Sequence, residues 1–190
     1  MLERVDVHRV RAVREALKSE LARANETQLL AHYHDCIEVD GYQLNPDAIA
    51  RRRLKNICLG YLLHLEREAY FDLCATQFDS ADNMTDQIAC LQIVVHCHHP
   101  LRDRIVTQFY QQWKDNALVV DKWFSVLGSN QSEGALEQII PLFDHPAYSL
   151  TNPNRARSLL GAVMANSSAF HQADGSGYAI AAQKLLQLDA

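Results

Sequence analysis

His96-Cys97-His98-His99 is the densest run of metal-binding side chains in this chain. Imidazole nitrogen and thiolate sulfur are ligands that zinc prefers. Neighbouring residues on a helix point about 100° apart, whereas two ligands on one face need i, i+3 or i, i+4 spacing. No second cluster is spaced to complete a tetrahedron. The run reads better as the last turn of a helix, where imidazoles meet the negative end of the dipole. His32 and His34 are two apart and share no helical face, and His64 with Glu66 lacks the H-E-x-x-H spacing. There is no G-x-S-x-G, no P-loop and no dinucleotide fingerprint. The sequence therefore assigns no catalytic residue and no metal ligand.

Three polar turns carry weaker chemistry. Asp174-Gly175-Ser176-Gly177-Tyr178 could cradle an anion with backbone N–H groups, but it reads more simply as a helix start. Asp82-Asn83 with Asp86 lacks the spacing of a calcium loop and reads as an N-cap. The stretch "SLTNPNRARSLLG" is the most unusual. Asn152 can cap a helix, Pro153 suits its first position, and the helix mouth presents unpaired N–H groups together with Asn154. Arg155 and Arg157 are two apart and cannot lie on one face. One can pair inside the domain while the other projects outward, offering a rigid fork to carboxylates or peptide carbonyls.

The elements that must position these residues are helices. Asp6 can cap a helix with the stripe Val10, Val13, Leu17, Leu21, and Asn25 with Gln28 resembles a capping box for a second. After the turn "DGYQLNPD", Asn45 and Pro46 open a third with Leu54, Cys58, Tyr61, Leu62 and Leu65 inward. Further helices are expected over 67–79, 84–97, 101–115, 117–127 and 133–143. Pro100 should end the fifth, Gly128 should stop the seventh at C′, and Pro141 should kink or end the eighth. A ninth starts at Pro153 and a tenth near Gly177. No hairpin signal occurs. The class is all-α, an α-solenoid or helical-repeat array of about ten antiparallel helices, in one domain spanning 1–190.

Composition narrows the partners. At 190 residues, 48% hydrophobic and net charge −5, nothing points to nucleic acid or a membrane surface. Arg9/Arg11/Arg14 and Arg51-Arg52-Arg53 read as solvated faces. No run reaches the roughly 18 apolar residues of a membrane span, and the charged start is not a secretory signal. The odd set of five cysteines suggests buried free thiols in the cytoplasm. The sequons at Asn83, Asn130 and Asn166 would then carry no glycan.

Asn83-Met84-Thr85-Asp86, Val120-Asp121-Lys122-Trp123-Phe124, Asn152-Pro153-Asn154-Arg155 and Asp174-Gly175-Ser176-Gly177-Tyr178 together resemble, in order and spacing, the C-terminal helical domain of bacterial aminopeptidase N. The resemblance covers about residues 5 to 188. It implies a piece of a zinc-dependent aminopeptidase that removes N-terminal residues from short peptides. The zinc site, with its H-E-x-x-H…E ligands, would lie in a catalytic domain absent here, so this chain alone would hold no cofactor and show no activity. The family's array continues past the position of Ala190, which implies an excised piece lacking the last helices. In the family this domain partners the catalytic domain, encloses the cavity above the zinc and limits access to short peptides. The second arginine of the family's N-P-N-R-x-R motif maps onto Arg157, which would line that channel, with Arg155, Asn154 and Asn152 building the loop beside it. The alternative is a free-standing helical-repeat module that binds a protein partner.

Overall fold

The computed structural model describes residues 6–39 and 41–188. The ends of the chain and Asp40 of the "DGYQLNPD" turn lie outside the described residues. All regular structure in those residues is helical. No described helix is long and apolar enough to cross a membrane. Two compact units are distinguished, one from Arg9 to Val94, the other from Val95 onward together with the residues up to His8.

The first unit contains α1 (Val7–Ala24) from Arg9 onward, α2 (Glu26–Asp35), α3 (Pro46–Leu63), α4 (Glu68–Ser80) and α5 (Met84–Val94). α2 packs along α3, and α3, α4 and α5 pack on one another. Tyr33, Cys58, Leu59, Leu62, Phe71, Cys74, Phe78, Cys90 and Leu91 fill the core. Local signals set the start of α3: Asn45 Oδ1 accepts from Ala48 N at 2.9 Å with Pro46 at the first position. At α5, Asn83 Oδ1 accepts from Asp86 N at 2.9 Å, the capping expected from the sequence.

Several expectations fail here. Asn25 forms no capping box; its side-chain amide donates back to Leu21 O at 2.8 Å, because the residue sits where α1 ends and α2 begins. The Val10, Val13, Leu17, Leu21 stripe of α1 is exposed, and so is Leu54 of α3. Arg52 is not on a solvated face but 3% exposed. Its guanidinium donates to both oxygens of Glu38 (2.8 and 2.9 Å) and to Gln43 O (2.9 Å), and stacks on Tyr42. Lys55 is buried too, its Nζ 2.6 Å from Asp86 Oδ2, while Asn56 donates to Asp86 Oδ1 at 2.9 Å. Paired and hydrogen-bonded, such charges can occupy a helical interior that periodicity reserves for apolar residues.

The second unit contains α6 (Pro100–Trp113), α7 (Ala117–Gly128), α8 (Ala135–Ile139), a 3₁₀ turn (Ile140–Asp144), α9 (Pro153–Ala156), a π turn (Arg157–Gly161), α10 (Ala162–Ala165), α11 (Ser167–Phe170) and α12 (Ser176–Leu186). Pro100 opens α6 rather than closing α5, and His99 Nδ1 caps it by accepting from Leu101 N at 3.2 Å. α5 already ends at Val94, so the histidine run lies outside that helix. Pro141 turns α8 into the 3₁₀ segment.

α7 is the axis of this unit. It packs on the π turn, α6, α10 and α9. Val120 and Phe124 of α7 are buried, as are Phe109 of α6, Leu159 of the π turn and Val163 of α10, the elements on which α7 packs. Trp123 is buried with its indole N–H satisfied by Val106 O at 3.1 Å. Gly128 is the last residue of α7 and not a left-handed stop. A Cβ there would come within 2.9 Å of Ala162 Cβ and 3.2 Å of Leu159 O, so the glycine admits the neighbouring backbone. The sequon residues Asn130 and Asn166 are buried, and Asn166 Nδ2 donates to Gly128 O at 3.2 Å.

Candidate functional site

The segment at Asn152 is built by local chemistry first. Asn152 Oδ1 accepts from Asn154 N (3.0 Å) and Arg155 N (3.2 Å), and Pro153 takes the first helical position. Asn152 and Asn154 are themselves exposed. The helix then widens into a π turn over Arg157–Gly161. Ser158 Oγ bonds back to Arg155 O at 2.8 Å, within this departure from α geometry. Single π turns inside helices recur at functional sites.

The two arginines part company. Arg155 is 9% exposed. Its Nε donates to Asp121 of α7, one terminal nitrogen donates to Ala147 O, and the other reaches Ala117 O at 3.2 Å. Its guanidinium also lies 5.4 Å from the Phe124 ring centre. One side chain thus ties α9 to α7 and to the segment before Asn152. Arg157, two residues on, is exposed, and no hydrogen bond or ion pair engages it among the described residues.

Behind this corner lies an aromatic cluster that sequence reasoning did not assemble. His145 packs against Tyr110, Trp123 and Phe124 at centroid distances of 4.8, 5.3 and 5.6 Å. Its Nδ1 accepts from Ala147 N at 3.1 Å. Burial and then the nearby Arg155 charge push the His145 pKa below its usual range. Tyr148 packs on Phe124 and Phe143, and burial pushes its hydroxyl up to about 12. The only advance signal was a His-Pro-x-Tyr stretch ahead of the loop.

The remaining candidates resolve into structural roles. Asp174 Oδ1 accepts from Ser176 N (2.9 Å) and Ser176 Oγ (2.7 Å) at the start of α12. Gly175 is left-handed, and a Cβ on Gly177 would overlap the carbonyl oxygens of Ala169 and Phe170. His96 Nδ1 accepts from Gln131 N at 3.1 Å. Among the described residues no three His, Cys, Asp or Glu side chains are grouped to hold a metal ion.

A family model described as "Domain of unknown function (DUF3458_C) ARM repeats" matches residues 1–190. The chain is 36% identical over 187 residues to aminopeptidase N of Escherichia coli, covering 98% of this chain and 21% of that protein. It is 33% identical to aminopeptidase N of Haemophilus influenzae and 34% to that of Caulobacter vibrioides, again covering 97% and 100% of this chain. The crystal structure of Legionella pneumophila aminopeptidase A in complex with aspartic acid superposes with a TM-score of 0.88 at 26% identity, over 99% of this chain and 23% of that one. The chain thus spans about a fifth of the length of these relatives.

Proposed function

This chain belongs to the DUF3458_C family of ARM-repeat domains, and from that premise we propose that it is the C-terminal helical domain of a zinc metallo-aminopeptidase. In this reading residues 1–190 form one domain of a longer cytoplasmic polypeptide. The zinc and its chemistry belong to a catalytic domain outside this chain. The helical domain covers that active site, shields it from bulk water and admits only short peptides with free N-termini. Arg157 lines the channel and meets peptide carbonyls or a terminal carboxylate. Arg155, Asn152 and Asn154 hold the loop that presents it.

The observation that carries this reading is the contrast between the buried, fully engaged Arg155 and the exposed, unengaged Arg157 on a π turn. A guanidinium held outward by a rigid frame suits recognition better than packing.

The test begins with the polypeptide recognised in source-cell lysate by antibody to this chain. A zinc-dependent aminopeptidase much heavier than 21.5 kDa is expected. A band of 21.5 kDa without activity would favour the free-standing interaction module instead. In the heavy form, Arg157→Ala should raise KM or shift peptide-length preference while leaving the melting temperature in place. Unchanged kinetics would reject the channel role.

A further inference from the structure

His145 stands at one end of a chain of contacts that leads to Arg157. Ala147 is held at both of its backbone groups. Its N–H donates to His145 Nδ1 at 3.1 Å, and its carbonyl oxygen accepts from a terminal nitrogen of Arg155. Arg155 also donates through Nε to Asp121 and through its other terminal nitrogen to Ala117 O at 3.2 Å. Ser158 Oγ donates to Arg155 O at 2.8 Å. Arg157 lies in sequence between Arg155 and Ser158, exposed at the start of the π turn. The frame that sets its backbone therefore runs back, through Arg155 and Ala147, to one imidazole.

That imidazole has a single basic atom, and the atom is in use. A ring that accepts at Nδ1 is neutral and carries its hydrogen on Nε2. The next proton goes to Nδ1, onto the lone pair that the Ala147 N–H occupies. Protonation then sets a donor against a donor and brings a second cation near the Arg155 guanidinium. The ring is half-buried, so solvent can deliver the proton. Tyr110 of α6 and Trp123 and Phe124 of α7 pack on it. Of the charged groups on neighbouring elements, Asp121 of α7 is engaged by Arg155, and Lys184 of α12 stands over Phe143. In its own segment Asp144 is exposed and Tyr148 packs on Phe124. Burial and then the Arg155 charge both oppose a charged ring.

We propose that His145 is a positioning residue for peptide recognition, and that a proton at its Nδ1 releases Ala147 and with it the setting of Arg157. The inference rests on the reading that Arg157 lines a peptide channel. Neutral His145 is the binding-competent state. The folded pKa is lowered, so the ring is neutral above its ordinary value of 6.5 and the release comes as pH falls below that value. Peptides long enough to reach Arg157 lose affinity in acid, and substrates that end before it do not.

The test uses the full-length polypeptide and reads two substrates side by side, a short peptide that extends to Arg157 and an alanyl arylamide that ends before it. Their KM ratio cancels what acid does to the zinc site and to the substrate amine. From about pH 7.5 to about pH 5.5 the ratio of peptide to arylamide KM should rise at least about threefold. His145→Gln offers an amide oxygen to Ala147 N–H but does not titrate, so its ratio should stay flat. Hydrogen exchange of residues 146–151, corrected for the intrinsic effect of pH, should lose protection over the same range in the parent and not in His145→Gln. A parent whose ratio stays flat, or whose segment keeps its protection, overturns the inference without any variant. A ratio that rises equally in His145→Gln overturns it too. Arg157→Ala separates this inference from the reading beneath it, since it should raise the peptide KM at neutral pH. If it does while the parent ratio is flat, the channel reading stands and the His145 role falls. If it does not, the channel reading falls and takes the His145 role with it.

Discussion

The Asp121 carboxylate on α7 accepts the Nε proton of Arg155 on α9, 34 residues away in sequence. The pair is mostly shielded, with 11% and 19% of the two side chains exposed. It sets the position of everything that follows Asn152. Removing one partner strands the other's charge, so Arg155→Ala and Asp121→Ala should each cost about 3 kcal/mol in urea unfolding. The double variant should lose clearly less than the sum, which a double-mutant cycle would read. Arg157→Ala should fall within about 0.5 kcal/mol of the parent, as an exposed and unengaged side chain does.

Lys55 and Asp86 are a deeper pair, 8% and 5% exposed, with Asn56 on the second carboxylate oxygen. Lys55→Ala should destabilise by about 3–5 kcal/mol because it leaves a buried carboxylate unpaired. Replacing both with apolar residues of similar volume should recover most of that loss. A double replacement as unstable as Lys55→Ala would show that Asp86 has a further role.

The two closely approached glycines should rank by how much backbone they meet. Gly128→Ala presses on Ala162 Cβ at 2.9 Å and on Leu159 O at 3.2 Å, and should cost about 1–3 kcal/mol. Gly177→Ala overlaps two carbonyl oxygens of α11, which cannot rotate away, and should cost more. Thermal melts of the two variants side by side check the order.

His145 gives the second unit a pH dependence. Its pKa is lowered on folding, first by burial and then by Arg155. The unfolded chain therefore holds more protons on this residue than the folded one. Its contribution is fully present above the ordinary value of 6.5 and is lost as pH falls below it toward the lower folded value. His145→Gln should flatten the fall in stability across that window relative to the parent. An unchanged slope would place the acid sensitivity elsewhere, with His64, whose pKa burial also lowers, as the next position to replace.

Much of this molecule was legible from short-range pattern. The helical class, the start of α3 at Asn45-Pro46, the cap at Asn83 and the mouth of α9 at Asn152-Pro153 follow from residues within one turn of one another. Caps and proline positions act through backbone groups a few residues away, so sequence alone determines them. Spacing alone left the division of labour between Arg155 and Arg157 as an either-or, because different helix faces follow from spacing while the choice of face does not; only the family resemblance pointed to Arg157 as the outward one.

Tertiary structure decided the rest. Periodicity says that α1 has an apolar face, not which body lies against it, and the exposed Val13 and Leu17 show how far the two can differ. Arg52 and Lys55 are interior because Glu38 and Asp86, 14 and 31 residues away, compensate their charge. Gly128 is glycine because a backbone more than 30 residues on passes over it, not because its helix must stop. Each of these depends on a partner that only the folded chain brings near. A desolvated charge or a missing Cβ has no energetic meaning until that partner is in place.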